Sequence, residues 1–302
     1  MNEPEVRPHI DAALVRRLIA AQFPRWAHLP VEQVLPGGND NRTFRLGETM
    51  TVRLPSATGY AGQVRKEQRW LPELAPLLPL PIPAPVAAGT PGEGFPFPWS
   101  VNRWLEGRPA REHRIADVRA FAVDLAGFLT ALQRIDPTGG PAPALHTGFR
   151  GGPLRTYDAD TRTAIDALRD GEVPGALATE IWEKALGAGW PGPPVWFHGD
   201  IAWGNLLVDG DGRLSAVIDF GCMGVGDPAC EAVIAWTLFT GESRRAFREA
   251  LGVDDATWAR ARGWALWKAL IVLAASRETD EASAAESRRV LAGIFSEYVA
   301  AD

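Results

Sequence analysis

Three polar side chains near the middle of the sequence have the types and the spacing that phosphoryl transfer requires. The segment 198–205 reads HGDIAWGN, which places Asn205 five residues after Asp200, and Asp219 follows in the segment 217–221, VIDFG. Phosphoryl transfer needs a base for the attacking hydroxyl and oxygen ligands for magnesium, because negative charge spreads over the phosphate oxygens. We therefore expect Asp200 to act as the general base and Asn205 and Asp219 to bind Mg2+.

A short β-hairpin is expected to bring these side chains together. The apolar runs between residues 195 and 221 are short and rich in β-branched residues, and the turn sequence DGDG at 209–212 joins two of them. Such a hairpin places Asn205 just before its first strand and Asp219 just after its second. The surrounding sequence, in contrast, has mostly helical patterns.

The motif pattern resembles the catalytic loop of protein kinases, H-R-D-x-x-x-x-N followed by D-F-G, with Gly199 in place of the arginine. It is also similar to the aminoglycoside phosphotransferase family, whose members carry H-G-D-x-x-x-x-N, then I-D-F or I-D-W, and then G-D-P, which occurs here at 226–228. The resemblance covers most of the chain. It implies an α+β fold of the protein-kinase-like, two-lobed type, with ATP or GTP and Mg2+ as co-substrate.

The sequence after the second motif bears on the substrate class. Only six residues lead from Gly221 to Asp227, and Pro228 then begins a predicted helix, so there is no long activation segment and protein substrates are not expected. Asp227 is suited to cap that helix, and the resemblance implies that it braces the catalytic loop. The resemblance also implies that His198 packs against the loop and hydrogen-bonds its backbone, leaving the role of base to Asp200.

Turn and strand signals divide the chain into two predicted lobes. Residues 1–105 are expected to bind the nucleotide with a small antiparallel sheet and a helix, and residues 106–302 to form a mostly helical lobe with the catalytic loop and the acceptor site. The proline-rich stretch from Pro76 to Pro85 is interpreted as a rigid, extended connector. The predicted strands outside the hairpin are Val31–Leu35, Thr43–Leu46, Met50–Leu54 and Trp99–Trp104. The predicted helices are Ile10–Phe23, Ala61–Leu77, Ile115–Arg134, Ala159–Asp170, Glu180–Leu186, Pro228–Thr240, Thr257–Ala275 and Glu281–Ala300.

A cation is expected to contact the nucleotide phosphates from the sheet. Kinase chemistry calls for a strand lysine held by a helix glutamate, but no V-A-I-K sequence is present. Arg53 occupies the strand and Glu67 lies in the following helix, so we predict that these two residues pair. Arginine can hold phosphate with two parallel hydrogen bonds. Lys66, next to Glu67, remains an alternative phosphate contact.

Two further segments are predicted to contact the nucleotide. The turn that contains Gly37, Gly38 and Asn39 is expected to lie over the phosphates and to donate backbone N–H groups, although such a sequence also suits an ordinary hairpin turn. The sequence contains no Walker-type phosphate loop and no convincing dinucleotide fingerprint. The adenine or guanine ring is expected between the lobes, beside Asn102, Arg103, Trp104 and Leu105.

The acceptor pocket is less constrained by the sequence. Trp203 lies inside the catalytic loop and Glu231 follows Asp227 by four residues, so both are candidate substrate contacts. Further candidate partners for ammonium groups of an acceptor are Asp158, Asp160 and Asp166. The first hypothesis is phosphorylation of an aminoglycoside or related antibiotic, which would confer resistance. The alternatives are a macrolide, choline, homoserine or sugar acceptor, and a non-catalytic protein that only binds nucleotide.

Composition excludes several other classes of function. The formal net charge is -6, with the negative charge concentrated after residue 109, which argues against nonspecific binding to nucleic acid. No apolar run reaches the length of a membrane-spanning helix, and Glu3 and Glu5 replace the basic start of a signal peptide, so a cytoplasmic protein is expected. Cys222 and Cys230 suggest neither a disulfide framework nor a metal site. A monomer or a homodimer is expected.

Overall fold

The N-terminal part of the chain forms a five-stranded antiparallel sheet. The structure, a computed structural model, describes residues 5–35, 37–169 and 171–301. The strands of this sheet are β1 (Val31–Gln33), β2 (Asn41–Leu46), β3 (Met50–Pro55), β4 (Pro85–Gly89) and β5 (Trp99–Arg103). Their order is β1-β2-β3-β5-β4, so the sheet is close to the one predicted but has one strand more.

The sheet has a hydrophobic core of its own. Helix α1 (Ala12–Gln22) begins where Asp11 accepts a hydrogen bond from Leu14 N–H at 2.8 Å. Its apolar side chains pack with those of β2, β3 and β5 in one buried cluster. Helix α2 (Ala61–Leu74) follows β3 and contains Pro72, as the sequence predicted.

The interpretation of the proline-rich stretch is partly wrong. Its last residue, Pro85, begins strand β4, which pairs with β5 at the edge of the sheet. Proline has no N–H to donate to a ladder, so it is tolerated on an edge strand, where one side needs no partner. The number of prolines in this stretch favoured a connector without secondary structure, and strand β4 was therefore not predicted.

The helical part of the chain is built around one long, buried helix. Helix α8 (Asp255–Ser276) packs against α4 (Asp158–Leu168), α5 (Gly175–Gly187) and α9 (Glu281–Ala301), and most of its residues are buried. A helix that is apolar on nearly every face suits such a central position. Asp170, the predicted last residue of α4, lies outside the described residues. The remaining helices are α3 (Val118–Gln133), α6 (Ile234–Thr237) and α7 (Gly241–Leu251).

The stretch after the catalytic motifs differs from the prediction in two ways. The predicted helix Pro228–Thr240 is a 3-10 helix over Pro228–Val233 followed by the single turn of α6. Helix α7 was not predicted at all. Its start is marked by Thr240, whose N–H donates to the Ser243 hydroxyl at 3.1 Å, and its end by Gly252, with φ 66°.

Five short strands lie within the helical part of the chain. They are β6 (Arg108–Pro109), β7 (Val195–Phe197), β8 (Leu206–Val208), β9 (Leu214–Val217) and β10 (Gly224–Gly226). Strands β8 and β9 form the predicted hairpin, to which β6 adds a third strand, while β7 pairs with β10. The mixed fold, with an antiparallel sheet followed by a helical part, agrees with the predicted α+β architecture.

Two properties predicted from composition can be compared with the structure. Among the residues described, no helix combines the length and the apolar character needed to cross a membrane. Cys222 and Cys230 are both free thiols.

Candidate active site

Two antiparallel strand pairs hold the ends of both catalytic segments. The catalytic loop, residues 198–205, runs from β7 to β8, and the segment 218–223 runs from β9 to β10. Because β7 pairs with β10 and β8 pairs with β9, each segment begins and ends beside the other. Ile218 N–H also donates to Asn205 O at 2.8 Å. The hairpin thus joins the two segments as predicted.

Asp200 and Asn205 are in direct contact. The Asn205 amide group donates to the Asp200 carboxylate Oδ2 at 3.0 Å and to the Asp200 carbonyl at 2.9 Å. The Asp200 side chain remains 46% exposed, so its other oxygen can reach a bound molecule. Because the NH2 group of Asn205 is used within the loop, its Oδ1 atom is left to accept.

His198 is buried and supports the loop. Asp200 N–H donates to His198 Nδ1 at 3.1 Å, and His198 Nε2 lies 2.9 Å from the carbonyl of Ile218. This arrangement assigns the ring proton to Nε2, which donates to that carbonyl. Burial lowers the pKa of His198, so the neutral ring is favoured. Its position agrees with the expected role in holding the loop backbone.

Gly199 explains why this chain lacks the arginine of protein kinases. Its φ is 86°, in the left-handed region that favours glycine. A Cβ atom at this position would lie 2.6 Å from the carbonyl oxygen of Cys222. Any side chain here would push the catalytic loop away from the segment that carries Asp219.

The structure corrects the prediction for Glu231. Its side chain is fully buried, and its two carboxylate oxygens accept hydrogen bonds from His198 N–H and Gly199 N–H, both at 2.8 Å. Burial raises the pKa of Glu231 to about 7, against the opposite effect of these two donors. Glu231 therefore faces the catalytic-loop backbone, and it does not face a substrate.

Asp227 has a different partner from the one predicted. Its carboxylate forms a buried pair with Arg260 of α8, with contacts of 2.7 and 3.1 Å. It also accepts from Ala229 N–H at 3.0 Å and so caps the following 3-10 helix, as expected. The loop-bracing role inferred for Asp227 is thus performed by Glu231, and Asp227 anchors the start of that helix to α8.

Arg53 lies between two carboxylates. Its guanidinium donates to Glu67 at 3.0 and 3.2 Å and to Asp219 Oδ1 at 2.6 Å. Arg53 and Glu67 are both buried, and the two neighbouring carboxylates raise the pKa of Arg53 despite its burial. Asp219 has φ 66°, an unusual conformation for a residue other than glycine, which marks it as a constrained position. The predicted Arg53–Glu67 pair is present.

Lys66, the alternative phosphate contact, is engaged elsewhere. Its ammonium donates to the carbonyls of His146 and Met223 at 3.2 and 2.9 Å. Burial lowers the pKa of Lys66 to about 8. Arg53 is therefore the cation that contacts the Asp219 carboxylate, and Lys66 ties α2 to the segment before β10.

The turn after β1 carries Asp40, whose carboxylate lies close enough to interact with Asp200 and Asp219 and was not predicted from the sequence. Asn39 O accepts from the Ser56 hydroxyl at 2.5 Å, Gly38 O accepts from Arg42 at 2.6 Å, and Asp40 accepts from Gln63 at 3.1 Å. Burial raises the pKa of Asp40, and the Asp219 and Asp200 charges act in the same direction. Gly37 and Gly38 do not use positive φ, and a Cβ on Gly37 would meet no atom within 4 Å. Space therefore remains above this turn.

The predicted contacts of the nucleotide base lie at the end of β5. Asn102 is buried, and its Oδ1 atom has no partner. Arg103 N–H donates to Ala84 O at 2.9 Å and Trp104 N–H to Thr49 O at 2.8 Å, so these two donors are already used. Leu105 N–H has no hydrogen-bond partner within the described chain, so it is a free backbone donor at the end of β5.

A cleft of about 240 Å³ opens beside Asp200. Trp203 lines it as predicted, with 37% of its surface exposed and the Arg111 guanidinium 4.6 Å above its ring. Arg150 and Lys268 line it as well, and sequence reasoning missed both. They lie far from the catalytic loop in sequence and carry no local motif, so only the three-dimensional fold reveals them.

The acids predicted to bind ammonium groups do not line this cleft. Asp158 accepts from Trp182 Nε1 at 2.7 Å and from Arg162 at 2.9 Å, within the helical core. Asp166 pairs with Arg169 at 3.3 Å, and Asp160 is exposed on the same helix. The prediction that these side chains form an anionic acceptor pocket is therefore not supported by the fold.

Asn205 and Asp219 each have an unbonded oxygen atom of the kind that binds magnesium. Asn205 Oδ1 and Asp219 Oδ2 have no hydrogen-bond partner among the described residues, and both are the hard oxygen donors that Mg2+ prefers. The described chain contains no cluster of three or more His, Cys, Asp or Glu side chains arranged to hold a metal. The fit therefore rests on this amide and this carboxylate, together with oxygens that a nucleotide would bring.

Comparison with known proteins identifies relatives over most of the chain. A sequence model of the phosphotransferase enzyme family, APH, matches residues 31–264. The GDP complex of a variant of aminoglycoside 2'-phosphotransferase-IIIa superposes with a TM-score of 0.74 at 18% identity, covering 96% of this chain and 99% of that chain. Macrolide 2'-phosphotransferase type I has a TM-score of 0.61 at 18% identity, with coverages of 95% and 98%. At these identities the likeness concerns the fold.

One curated relative is similar in sequence. The uncharacterized protein YcbJ of Bacillus subtilis (strain 168) is 26% identical over 164 residues, which is 52% of this chain and 49% of that relative. The match thus spans about half of the relative's length.

Proposed function

Because the chain belongs to the phosphotransferase enzyme family, we propose that it transfers the γ-phosphate of ATP or GTP to a hydroxyl of a small molecule. The observation that carries this proposal is the contact between Asp200, a half-exposed carboxylate at a cleft, and Asn205, which bonds across the hairpin to Ile218, the residue before Asp219. The predicted base and the two predicted magnesium ligands thus lie on two segments that the hairpin joins, which supports the proposal.

In the proposed reaction, Asp200 removes the proton of the acceptor hydroxyl while that oxygen bonds to the γ-phosphorus. The bond from the γ-phosphorus to the oxygen it shares with the β-phosphate breaks, and the nucleoside diphosphate leaves with the electron pair. Asn205 orients Asp200 by donating to its Oδ2 atom at 3.0 Å. Positioning of this kind matters because the transition state is loose and little covalent chemistry is left to the protein.

The metal and the nucleotide are assigned to the residues on either side of the hairpin. Asn205 and Asp219 would hold Mg2+, which when bound offsets negative charge on the phosphate oxygens. Arg53 would bind a phosphate from the sheet, with Glu67 keeping its guanidinium in place. The turn at Gly37, Gly38 and Asn39 would cover the phosphates.

The separate hydrophobic cluster of the sheet supports assigning residues 1–105 to a nucleotide lobe and residues 106–302 to an acceptor lobe. The adenine or guanine ring of the nucleotide would then lie beside the end of β5, at Asn102, Arg103, Trp104 and Leu105. Leu105 N–H is the group we expect to be contacted first, because those of Arg103 and Trp104 are already bonded.

An aminoglycoside or macrolide acceptor is a second, narrower candidate. It is supported by the likeness in fold to phosphotransferases named for both classes. The cleft adds no support for a polycationic aminoglycoside, because the predicted acids lie elsewhere. A protein that only binds nucleotide would be expected to lack the base or a metal ligand, and Asp200, Asn205 and Asp219 are all present.

Mass spectrometry of reaction products tests the proposed function. The protein is incubated with Mg2+, ATP or GTP and a panel of aminoglycosides, macrolides, choline, homoserine and sugars, and a product heavier by one phosphate is sought. Asp200→Asn is expected to lose transfer by about 100-fold or more while keeping nucleotide binding. Asp211→Asn, in the exposed hairpin turn, is the matched control. Absence of Mg-nucleotide binding by the unmodified protein would contradict the proposal.

A further inference from the structure

The cleft beside Asp200 carries an ammonium group without a counter-ion. Lys268 projects from α8, lines the cleft and is exposed, and its Nζ atom makes no hydrogen bond or ion pair within the described part of the chain. The Arg150 guanidinium also lines the cleft, 4.0 Å from the Asp200 carboxylate. Glu286 is the other carboxylate of the lining, and it is paired with Arg289. Apart from Asp200 and the paired Glu286, the charged side chains that line the cleft are Arg150 and Lys268, and both are positive.

Two buried indole groups in the same lining also lack partners. Trp264 and Trp267 are 2% and 6% exposed, both line the cleft, and neither Nε1 atom has a hydrogen-bond partner. Tyr157 stacks on the Trp267 ring at 3.9 Å and fixes its plane. Burying an N–H group without a hydrogen-bond acceptor costs free energy. A ligand oxygen at this position would accept from one of these N–H groups and remove that cost.

An apolar cavity continues from this cleft. It measures about 370 Å³, lies between α8 and α9, and shares Lys268 and Glu286 with the cleft beside Asp200. Its walls are largely alanine and valine side chains, among them Ala269, Val272 and Val290. A ligand with its hydroxyl at Asp200 can therefore place an apolar part beyond Lys268.

From this arrangement we infer that the acceptor is a hydroxy acid: a compound whose hydroxyl meets Asp200, whose carboxylate lies at Lys268 and Arg150 and accepts from the indole N–H groups of Trp264 and Trp267, and whose apolar part can extend into the cavity beyond Lys268. The inference rests on the proposed function, whose acceptor class it specifies. A single carboxylate matches the one ammonium group that lacks a counter-ion. A polycation would bring further positive charge to a lining that offers mostly donors, which is unfavourable.

The electrostatic state of Lys268 agrees with this inference. Desolvation in the cleft and the nearby Arg150 charge both lower its pKa. Desolvation is the larger cause, the Asp200 charge acts in the opposite direction, and a bound carboxylate would act with Asp200.

Three aromatic alcohols that differ only in charge test the inference. They are 4-(hydroxymethyl)benzoate, the neutral 4-(hydroxymethyl)benzamide and the cationic 4-(hydroxymethyl)benzylamine, each titrated into the protein with Mg2+ and a non-hydrolysable ATP analogue. We expect the benzoate to bind at least about 10-fold more tightly than the benzylamine, because it pairs with an unpartnered ammonium group. Mass spectrometry with Mg-ATP then checks which of the three is phosphorylated.

Charge reversal at Lys268 provides the decisive comparison. Lys268→Glu is expected to reverse the order of the benzoate and the benzylamine, whereas Arg245→Glu, an equal change of charge at an exposed position of α7, should leave the order unchanged. The inference is overturned if the benzoate does not bind, if the amide or amine binds as tightly, or if Lys268→Glu has no effect. Failure of the unmodified protein to bind Mg-nucleotide would instead contradict the proposed function, so the two failures are distinguishable.

Discussion

Arg53 donates from Nη2 to the Asp219 carboxylate at 2.6 Å, and from Nη1 to Glu67 at 3.0 Å. One buried guanidinium therefore joins strand β3, helix α2 and the segment after β9. The planar fork of arginine can serve two carboxylates in different directions, whereas the single ammonium of lysine has a shorter reach. This contact explains how an arginine can occupy the position where kinase chemistry usually calls for lysine.

Replacing Arg53 by lysine should weaken the use of nucleotide. In Arg53→Lys we expect the KM for ATP or GTP to rise by about 10-fold or more, because the bridge to Glu67 and Asp219 cannot be formed in full. Steady-state kinetics with a saturating acceptor measures the change. Arg17→Lys, at an exposed position of α1, is the control and should keep the original KM. An unchanged nucleotide KM in Arg53→Lys would show that Arg53 does not contact the phosphates.

Glu231→Gln should loosen the catalytic loop. Glutamine offers only one accepting oxygen, so either His198 N–H or Gly199 N–H loses its buried partner. The free energy of unfolding is expected to fall by about 1–3 kcal/mol, and kcat should fall with it. Urea denaturation and steady-state kinetics measure the two effects. Glu242→Gln, in the exposed first turn of α7, should alter neither; equal behaviour of the two variants would argue against the bracing role.

The same carboxylate should give the stability a pH dependence of known sign. The pKa of Glu231 is raised by burial from its usual value of 4.5 to about 7. Between these values the folded state binds more protons than the unfolded state, so the contribution of Glu231 to the free energy of unfolding falls as the pH rises. Denaturation of the unmodified protein and of Glu231→Gln at several pH values in this window measures the contribution. Parallel curves for the two proteins would contradict the prediction.

Two glycines of the catalytic loop should respond differently to alanine. Gly199→Ala combines a positive φ with a Cβ only 2.6 Å from a carbonyl oxygen, and we expect a loss of about 1–3 kcal/mol in the free energy of unfolding. Gly204→Ala, five residues later, adds a Cβ that meets no atom within 4 Å and should be tolerated. Thermal or urea denaturation compares them. Equal stability would mean that the loop can move away from Cys222 at little cost.

The contact between Asp200 and Asn205 and the hairpin that leads to Asp219 were predictable because these residues are close together in the sequence. Asp200, Asn205 and Asp219 lie within one loop and one hairpin, and the turn residues at 209–212 mark that hairpin directly. The pairing of Arg53 with Glu67 was predicted from kinase chemistry, which calls for a strand cation held by a helix glutamate, and the structure contains this pair. The two-lobed α+β fold was implied by the resemblance of these motifs to the aminoglycoside phosphotransferase family, and the strand and helix patterns agreed with it.

The contacts of Glu231 and Asp227 differ from those predicted because the prediction assumed a regular α-helix from Pro228. The chain forms a 3-10 helix there, which turns successive side chains by a larger angle and brings Glu231 to the loop backbone. Arg150 and Lys268 were missed for another reason. Residues that meet only through tertiary packing leave no trace in local spacing, so the charge of the acceptor cleft could not be read from the sequence.

Under the proposed assignment of the cleft beside Asp200 to the acceptor, helix α8 limits how the acceptor range of this protein can change during evolution. From residue 261 to residue 270, Lys268 is the only exposed side chain, and all the others are buried in the core. A substitution at Trp264 or Trp267 would alter packing against neighbouring helices as well as the cleft. Lys268 is therefore the position of this helix at which a change of acceptor is separable from a loss of folding. Substitution of Lys268 by each of the other amino acids is therefore expected to give folded variants in which a change of substrate preference can be measured.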